Sequence, residues 1–233
     1  MNKVIESVLV FSILFFSLFA FAEQEYVSEN AQLQINDCME GNLDACYEIG
    51  IRFDNGDGVS QNFEKSAYYY QKGCEGDHTP SCYNLAIAYD DGEGVKQDHS
   101  KAITYYTKSC ESGDVNACYN LGVSYDHGEG VQIDHEKAAS FYTIGCDGGE
   151  LDSCHNLAIS YDEGEGVKQD KKVAIELYKK ACQGDNISSC FNLASSLESG
   201  DGVKKDIDAA IVLYDRVCQY GDESGCRKAN ELK

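Results

Sequence analysis

The 233-residue chain has a single proline, Pro80, and no low-complexity stretch, so nothing in it reads as a linker between separate domains. Basic residues are scarce: 19 Lys and Arg stand against 40 Asp and Glu, a formal net charge of −21 and a sequence pI near 4.4. A surface this acidic repels phosphate backbones and anionic headgroups, which excludes nucleic-acid binding and membrane-surface binding. Basic proteins, cations and small polar ligands remain compatible with it. Long apolar runs are missing too, except at the start. There Lys3 precedes the mostly apolar stretch from Val8 to Phe19, and Ala20-Phe21-Ala22 reads as a small-residue cleavage site. The run is short for a membrane span. A signal peptide over residues 1–22, cleaved after Ala22, is therefore expected, leaving a secreted or periplasmic protein that is not membrane-inserted.

Cysteine, in contrast, is abundant and regular. Twelve cysteines form six Cys-x7-Cys pairs that recur every 36 residues. They are Cys38 with Cys46, Cys74 with Cys82, Cys110 with Cys118, Cys146 with Cys154, Cys182 with Cys190, and Cys218 with Cys226. No metal site or catalytic thiol needs such a lattice. A stack of similar units, each fastened by a bridge in an oxidising compartment, does. Other columns share the period. Leu85 aligns with Ile49, Leu121, Leu157 and Leu193; Ala86 aligns with Gly50, Gly122, Ala158 and Ala194. The apolar spacing predicts a helix, here called helix A, and a column restricted to Gly or Ala predicts another backbone passing close by. Two glycines end each helix A, as in Gly92 and Gly94, followed by a valine (Val59, Val95, Val131, Val167, Val203) expected to plug the turn. Asn62, Asp98, Asp134, Asp170 and Asp206 then read as caps of a second helix, B, which carries the tyrosine column Tyr70, Tyr106, Tyr142, Tyr178 and Tyr214.

One helix hairpin cannot bury its own apolar face, but stacked hairpins can. The expectation is an all-α solenoid, with a half-repeat helix over residues 23–37, five repeats over 38–225 and a polar capping helix over 226–233. Helix B ends at the first cysteine of a pair and the next helix A begins near the second, so both lie on one edge of the stack. Local Cys-x7-Cys pairing closes the shorter loop and is favoured; pairing across a unit, as Cys46 with Cys74, also joins two ends on that edge and stays open.

The run Leu121-Gly122-Val123-Ser124-Tyr125, with Gly128, Gly130-Val131, Asp134 and Lys137-Ala138, resembles the Sel1-like repeat, a relative of the tetratricopeptide repeat. With the cysteine pairs and the leader, the chain is similar to the Helicobacter cysteine-rich proteins. Val173 and Ala209 depart from the pattern in replacing the helix B lysine, and Phe53 and Leu197 in replacing the helix A tyrosine. The resemblance implies a right-handed solenoid acting as a scaffold for a protein, peptide or cell-wall ligand. It also implies two alternatives: a beta-lactam-binding hydrolase of beta-lactamase type, or a secreted factor that meets host cells.

The residues speak against the hydrolase. A serine enzyme of that type needs Ser-x-x-Lys, and neither that pattern nor Lys-Thr-Gly occurs. A zinc version needs clustered ligands such as His-x-His-x-Asp, which His78, His99, His127, His135 and His155 never form. No catalytic residue is assigned, and no metal or cofactor is expected. Asp98-His99 and Asp134-His135 read as a capping Asp followed by an exposed His. The Asp54-Asn55-Gly56-Asp57-Gly58 segment half-resembles a calcium loop, but Phe53 stands where its first carboxylate belongs.

A stripe off the core face of helix A is the candidate ligand-binding surface. It comprises Asn84, Ile87 and Asp91; Asn120, Val123 and His127; Asn156, Ile159 and Glu163; and Asn192, Ser195 and Ser199. These fall at i, i+3 and i+7, on one side of each helix. If the A helices line the concave side, the asparagines can donate to and accept from an extended chain. The same asparagines could equally bridge neighbouring units. Tyr47, Tyr83, Tyr119, His155 and Phe191, next to the second cysteines, form either an aromatic rim or core filler. A monomer is expected.

Overall fold

The computed structural model describes residues 26–233; the leader expected over residues 1–22 lies outside them. Among the described residues there are twelve helices. They are α1 (Glu29–Met39), α2 (Leu43–Asn55), α3 (Phe63–Glu75), α4 (Thr79–Asp91), α5 (His99–Glu111), α6 (Val115–His127), α7 (His135–Asp147), α8 (Leu151–Glu163), α9 (Lys171–Gln183), α10 (Ile187–Ser199), α11 (Ile207–Gln219) and α12 (Glu223–Leu232). Each even-numbered helix from α2 to α10 is a helix A that packs on the helix B following it, and that helix B packs on the next helix A. The result is an array of hairpins, with α1 as a lone helix B at one end and α12 as a lone helix A at the other. Before α1, Val27 bridges Val59, and Ser28 N–H donates to the Gly58 carbonyl at 2.7 Å, tying the leading segment to the first turn.

Local chemistry sets the boundaries. Asn62, Asp98, Asp134, Asp170 and Asp206 are the N-caps of the B helices, each side chain accepting from first-turn amides. Every full helix A ends in a left-handed glycine: Gly56, Gly92, Gly128, Gly164 or Gly200. The second glycine of the turn has a different task. A Cβ on Gly94 would collide with the carbonyl of Phe63, and one on Gly166 with that of His135, so the turn presses against the start of the preceding helix B. Val59 is buried beneath its turn, while the later valines of that column are half-buried. Lys108 and Lys180 reach back one unit to the carbonyls of Cys74 and Cys146, at 2.5 and 2.7 Å, satisfying the C-terminal end of the previous helix B.

The disulfides follow the local pairing, and pairing across a unit does not occur. Cys38 bonds Cys46, Cys74 bonds Cys82, Cys110 bonds Cys118, Cys146 bonds Cys154, Cys182 bonds Cys190, and Cys218 bonds Cys226. Their Cα–Cα distances are 4.5–4.9 Å. Each bridge fastens the last turn of a helix B to the first turn of the next helix A, so it staples units to each other rather than closing a hairpin. The second cysteines Cys46, Cys82, Cys118, Cys154 and Cys190 are all buried, whereas Cys226, in the terminal α12, is half-buried because no further unit covers it. From the second bridge on, two buried columns meet beside each bridge with matched volumes, Ala181 and Ser189 among them, whereas beside the first bridge Asp37 is exposed. Gly73 faces Ser81, Gly145 faces Ser153 and Val217 faces Gly225, while Ser109 and Ala117 fill the same two columns.

One expectation needs correcting. The Gly/Ala column of helix A is small because of a ring, not a neighbouring backbone. A Cβ on Gly50 would come within 2.5 Å of Cε1 of Tyr70, and one on Gly122 would meet Tyr142, the column tyrosine of the same hairpin. The departures from the repeat pattern also find a reason. Phe53 stacks on Tyr69, Tyr89 on Tyr105 and Tyr125 on Phe141, with Lys65, Lys101 and Lys137 over the helix A ring. In the last two hairpins Leu177 and Leu213 stand where the second ring was, and there the lysine becomes Val173 and Ala209.

Candidate binding groove

The tyrosine column organises the joints. Tyr70, Tyr106, Tyr142, Tyr178 and Tyr214 are each no more than 2 % exposed. The Tyr70 hydroxyl donates to Asp54 at 3.0 Å, Tyr106 to Asp90 and Tyr142 to Asp126 at 3.4 Å, and Tyr214 to Glu198 at 2.8 Å. From the next helix A the side chains of Asn84, Asn120, Asn156 and Asn192 approach the hydroxyls of Tyr70, Tyr106, Tyr142 and Tyr178. Burial pushes these phenols well above their ordinary range, so they stay neutral and act as hydrogen-bonding hubs, not as bases or nucleophiles.

At both ends the hub is rebuilt with other complementary groups. Gln34 replaces the tyrosine and donates to Glu48, which replaces the asparagine, at 2.6 Å. At the far end Lys228 stands in the asparagine column and meets Glu198 at 3.1 Å. The asparagines thus sit within reach of the column tyrosine of the preceding unit.

The stripe nevertheless stays open to solvent. Asn84, Ile87, Asn120, Val123, Asn156, Ile159 and Asn192 are half-buried, and Asp91, His127, Glu163, Ser195 and Ser199 are exposed. Asn84 and Ile87 line a cavity of about 100 Å³ between α2, α3 and α4. Ile159, Glu163, Asn192, Ser195 and Ser199 line another of about 270 Å³ between α8, α9 and α10. Asn120, Val123 and Asn156, in between, line neither. The residues after the second cysteines form the wall behind the stripe: Tyr47, Tyr83, Tyr119, His155 and Phe191 pack on the column tyrosine of their own hairpin at 5.3–6.3 Å between ring centroids.

The histidines are more engaged than their sequence context indicated. Asp98 and Asp134 cap as expected, but His99 Nδ1 meets Asp90 and His135 Nδ1 meets Asp126, each at 2.7 Å. Those are the carboxylates that hold Tyr106 and Tyr142. The pairing raises both histidines above the ordinary value, whereas burial lowers His155, which bonds Ser189 Oγ at 2.8 Å. The signs differ in consequence. The His99 and His135 pairs stabilise the fold fully below about pH 6.5 and fade as pH rises through their raised values. His155 keeps its contribution above about pH 6.5 and loses it as pH falls towards its lowered value. In an NMR pH titration His99 and His135 are expected to change charge above His155, and Asp90→Asn is expected to bring His99 down while leaving His135 in place.

The turn resembling a calcium loop is accounted for by its glycines, Gly56 and Gly58, both at positive φ, and among the described residues no group of three or more His, Cys, Asp and Glu is placed to hold a metal. Sequence reasoning missed a broad recess of about 640 Å³ on the disulfide edge, lined by Asn116, the 148–152 segment and Asp185–Ser188. Its lining does recur at the period, as Val115, Leu151 and Ile187 and as Gly148 and Gly184, a signal the helix A stripe does not include.

A stapled helical solenoid with a half-open polar stripe is the architecture of a protein-interaction scaffold. The chain belongs to the Sel1 repeat family, whose model matches residues 43–78, 79–114, 115–150, 151–186 and 187–222. Among solved structures it is similar to a protective antigen of uropathogenic Escherichia coli strains displaying an SLR fold, at 28 % identity and a TM-score of 0.84 over 87 % of this chain. It spans only 43 % of that protein's length. It shares its fold with a Sel1 repeat protein from Oxalobacter formigenes, at 23 % identity and a TM-score of 0.75 over 87 % of both chains. It also matches Helicobacter pylori cysteine rich protein B at 30 % identity and a TM-score of 0.45, over 58 % of this chain and 97 % of that one. No curated protein matches the chain significantly.

Proposed function

We propose that this protein is an extracytoplasmic scaffold that captures an extended segment of a partner protein along the helix A stripe. The observation that carries this reading is the exposure pattern. The Leu, Gly/Ala and Tyr columns are closed, while the Asn and Ile/Val columns beside them stay half-open through three consecutive hairpins. Ile87, Val123 and Ile159 recur at one position on successive hairpins as half-buried apolar side chains beside the asparagines, and such a repeated apolar strip with polar neighbours supports a docking surface. The six disulfides suit an oxidising compartment. Export through a leader cleaved after Ala22 belongs to the same reading.

Ser195→Trp, at an exposed position on the stripe, should block the groove. Peptides selected from a displayed library against the oxidised protein are expected to bind this variant at least tenfold more weakly. Val212→Trp, on helix B where Val212 is 67 % exposed, is expected to leave binding unchanged. Equal loss in both variants, or in neither, would overturn the stripe as the binding surface.

A further inference from the structure

In four of the five joints the carboxylate in the column of Asp54, beside the column tyrosine, also meets a cation supplied by the chain itself. His99 meets Asp90 and His135 meets Asp126 at 2.7 Å, Lys171 approaches Asp162 at 3.8 Å, and Lys228 meets Glu198 at 3.1 Å. Asp54 is the exception: among the described residues no Lys, Arg or His lies within ion-pair distance of it. Phe63 stands in the column that holds His99, His135 and Lys171 in the next three units.

The same joint breaks the repeat a second time. Ser66 replaces the alanine found as Ala102, Ala138, Ala174 and Ala210. Ser66 is 1 % exposed and lines the cavity of about 100 Å³ that also takes in Asp54, Phe63, Asn84 and Ile87. Its hydroxyl is near enough to Tyr70 to favour the ionised phenol, yet it makes no hydrogen bond of acceptable geometry to any group. A buried hydroxyl with unused hydrogen-bonding capacity is costly, and a donor arriving in the cavity would use it.

We propose that this cavity receives the ammonium group of a lysine side chain from the captured partner, a deepening that rests on the groove reading above. Its volume is far below the roughly 300–1,000 Å³ of small-molecule sites, which suits one side chain and not a whole ligand. An ammonium has three donors and no acceptor. Asp54, the Ser66 hydroxyl and the Asn84 carbonyl oxygen line the cavity together and offer three acceptors, one for each donor. Phe63 and Ile87, which line the same cavity, offer apolar cover for the methylene stem. Exposed Glu93 on the rim adds negative charge at the mouth.

The test is an amide-resolved NMR titration of the oxidised protein with a glycine pentapeptide carrying one central lysine, and with its Nε-acetyl-lysine counterpart. The lysine peptide is expected to shift Phe63, Ser66 and Asn84 first, and the acetylated one to bind at least tenfold more weakly. Phe63→His installs the internal cation of the next two units, so it should fold normally and weaken the lysine peptide at least tenfold. Ser66→Ala, also a residue the array already accepts there, should weaken it several-fold. Equal binding of the acetylated peptide, no effect of Phe63→His, shifts spread evenly over all joints, or no shifts at all would overturn the lysine site. Shifts confined to Asn120, Val123 and Ile159 would remove that site while leaving the groove reading intact. Library peptides that perturb no helix A residue would remove both.

Discussion

Gly145→Val is expected to lower the stability of the array by about 2–3 kcal/mol, seen as a fall in the denaturant midpoint. Gly145 lies in the last turn of α7, where an added Cβ would run into Oγ of Ser153 and come within 2.8 Å of its Cβ. Both residues are buried beside the bridge between Cys146 and Cys154, which holds the two helix ends too close to part. The array shows its own remedy in the last joint, where Val217 faces Gly225 beside the bridge between Cys218 and Cys226. Adding Ser153→Gly to Gly145→Val rebuilds that pair. The double variant should recover at least half of the loss despite the penalty of about 1 kcal/mol for a helical glycine. No recovery would mean that the columns are not matched in volume.

Removing one staple is the second large effect. Cys110→Ser together with Cys118→Ser opens a short loop whose closure is worth about 2–3 kcal/mol on the chain-entropy account. Because the bridge joins α5 to α6, the loss should concentrate at the joint between the second and third hairpins. Units of a solenoid interact only with their neighbours, so a weakened joint splits the array instead of melting it evenly. Hydrogen exchange should accelerate in the last turn of α5 and the first turn of α6, while α2, α3, α10 and α11 keep their protection. Uniform acceleration across all hairpins would contradict a nearest-neighbour array.

Much of this architecture is legible in the sequence because a 36-residue period exposes each structural column five or six times. The helix pair, the capping Asp and Asn, the left-handed glycine and the local disulfide pairing, from Cys38 with Cys46 through Cys74 with Cys82 and Cys182 with Cys190 to Cys218 with Cys226, all follow from residues whose role is local. What was missed depends on side chains that meet across the hairpin or the joint. The Gly/Ala column was assigned to a passing backbone, but the ring that fills the space comes from Tyr70 or Tyr142, 20 residues on in the same hairpin. The histidines were read from their neighbours Asp98 and Asp134, whereas their partners, Asp90 and Asp126, lie nine residues back on helix A.

A signal for the polar hubs was present and unread. Gln34 with Glu48 and Lys228 with Glu198 change together at the two ends of the array, as only groups in contact need to do. The stripe itself was legible as a periodic feature. Its two recesses were not, since they arise where Ser66 and Phe63, or Ser195 and Ser199, break the period.

The most direct test of the account is hydrogen exchange of the oxidised protein with and without a saturating groove-selected peptide. A scaffold that binds along its A helices should gain protection in α4, α6, α8 and α10 on the side of Asn84, Asn120, Asn156 and Asn192, with little change in the B helices. Protection confined to the disulfide edge around Asn116, Glu150 and Asp185, or to the outer face of the B helices, would contradict it.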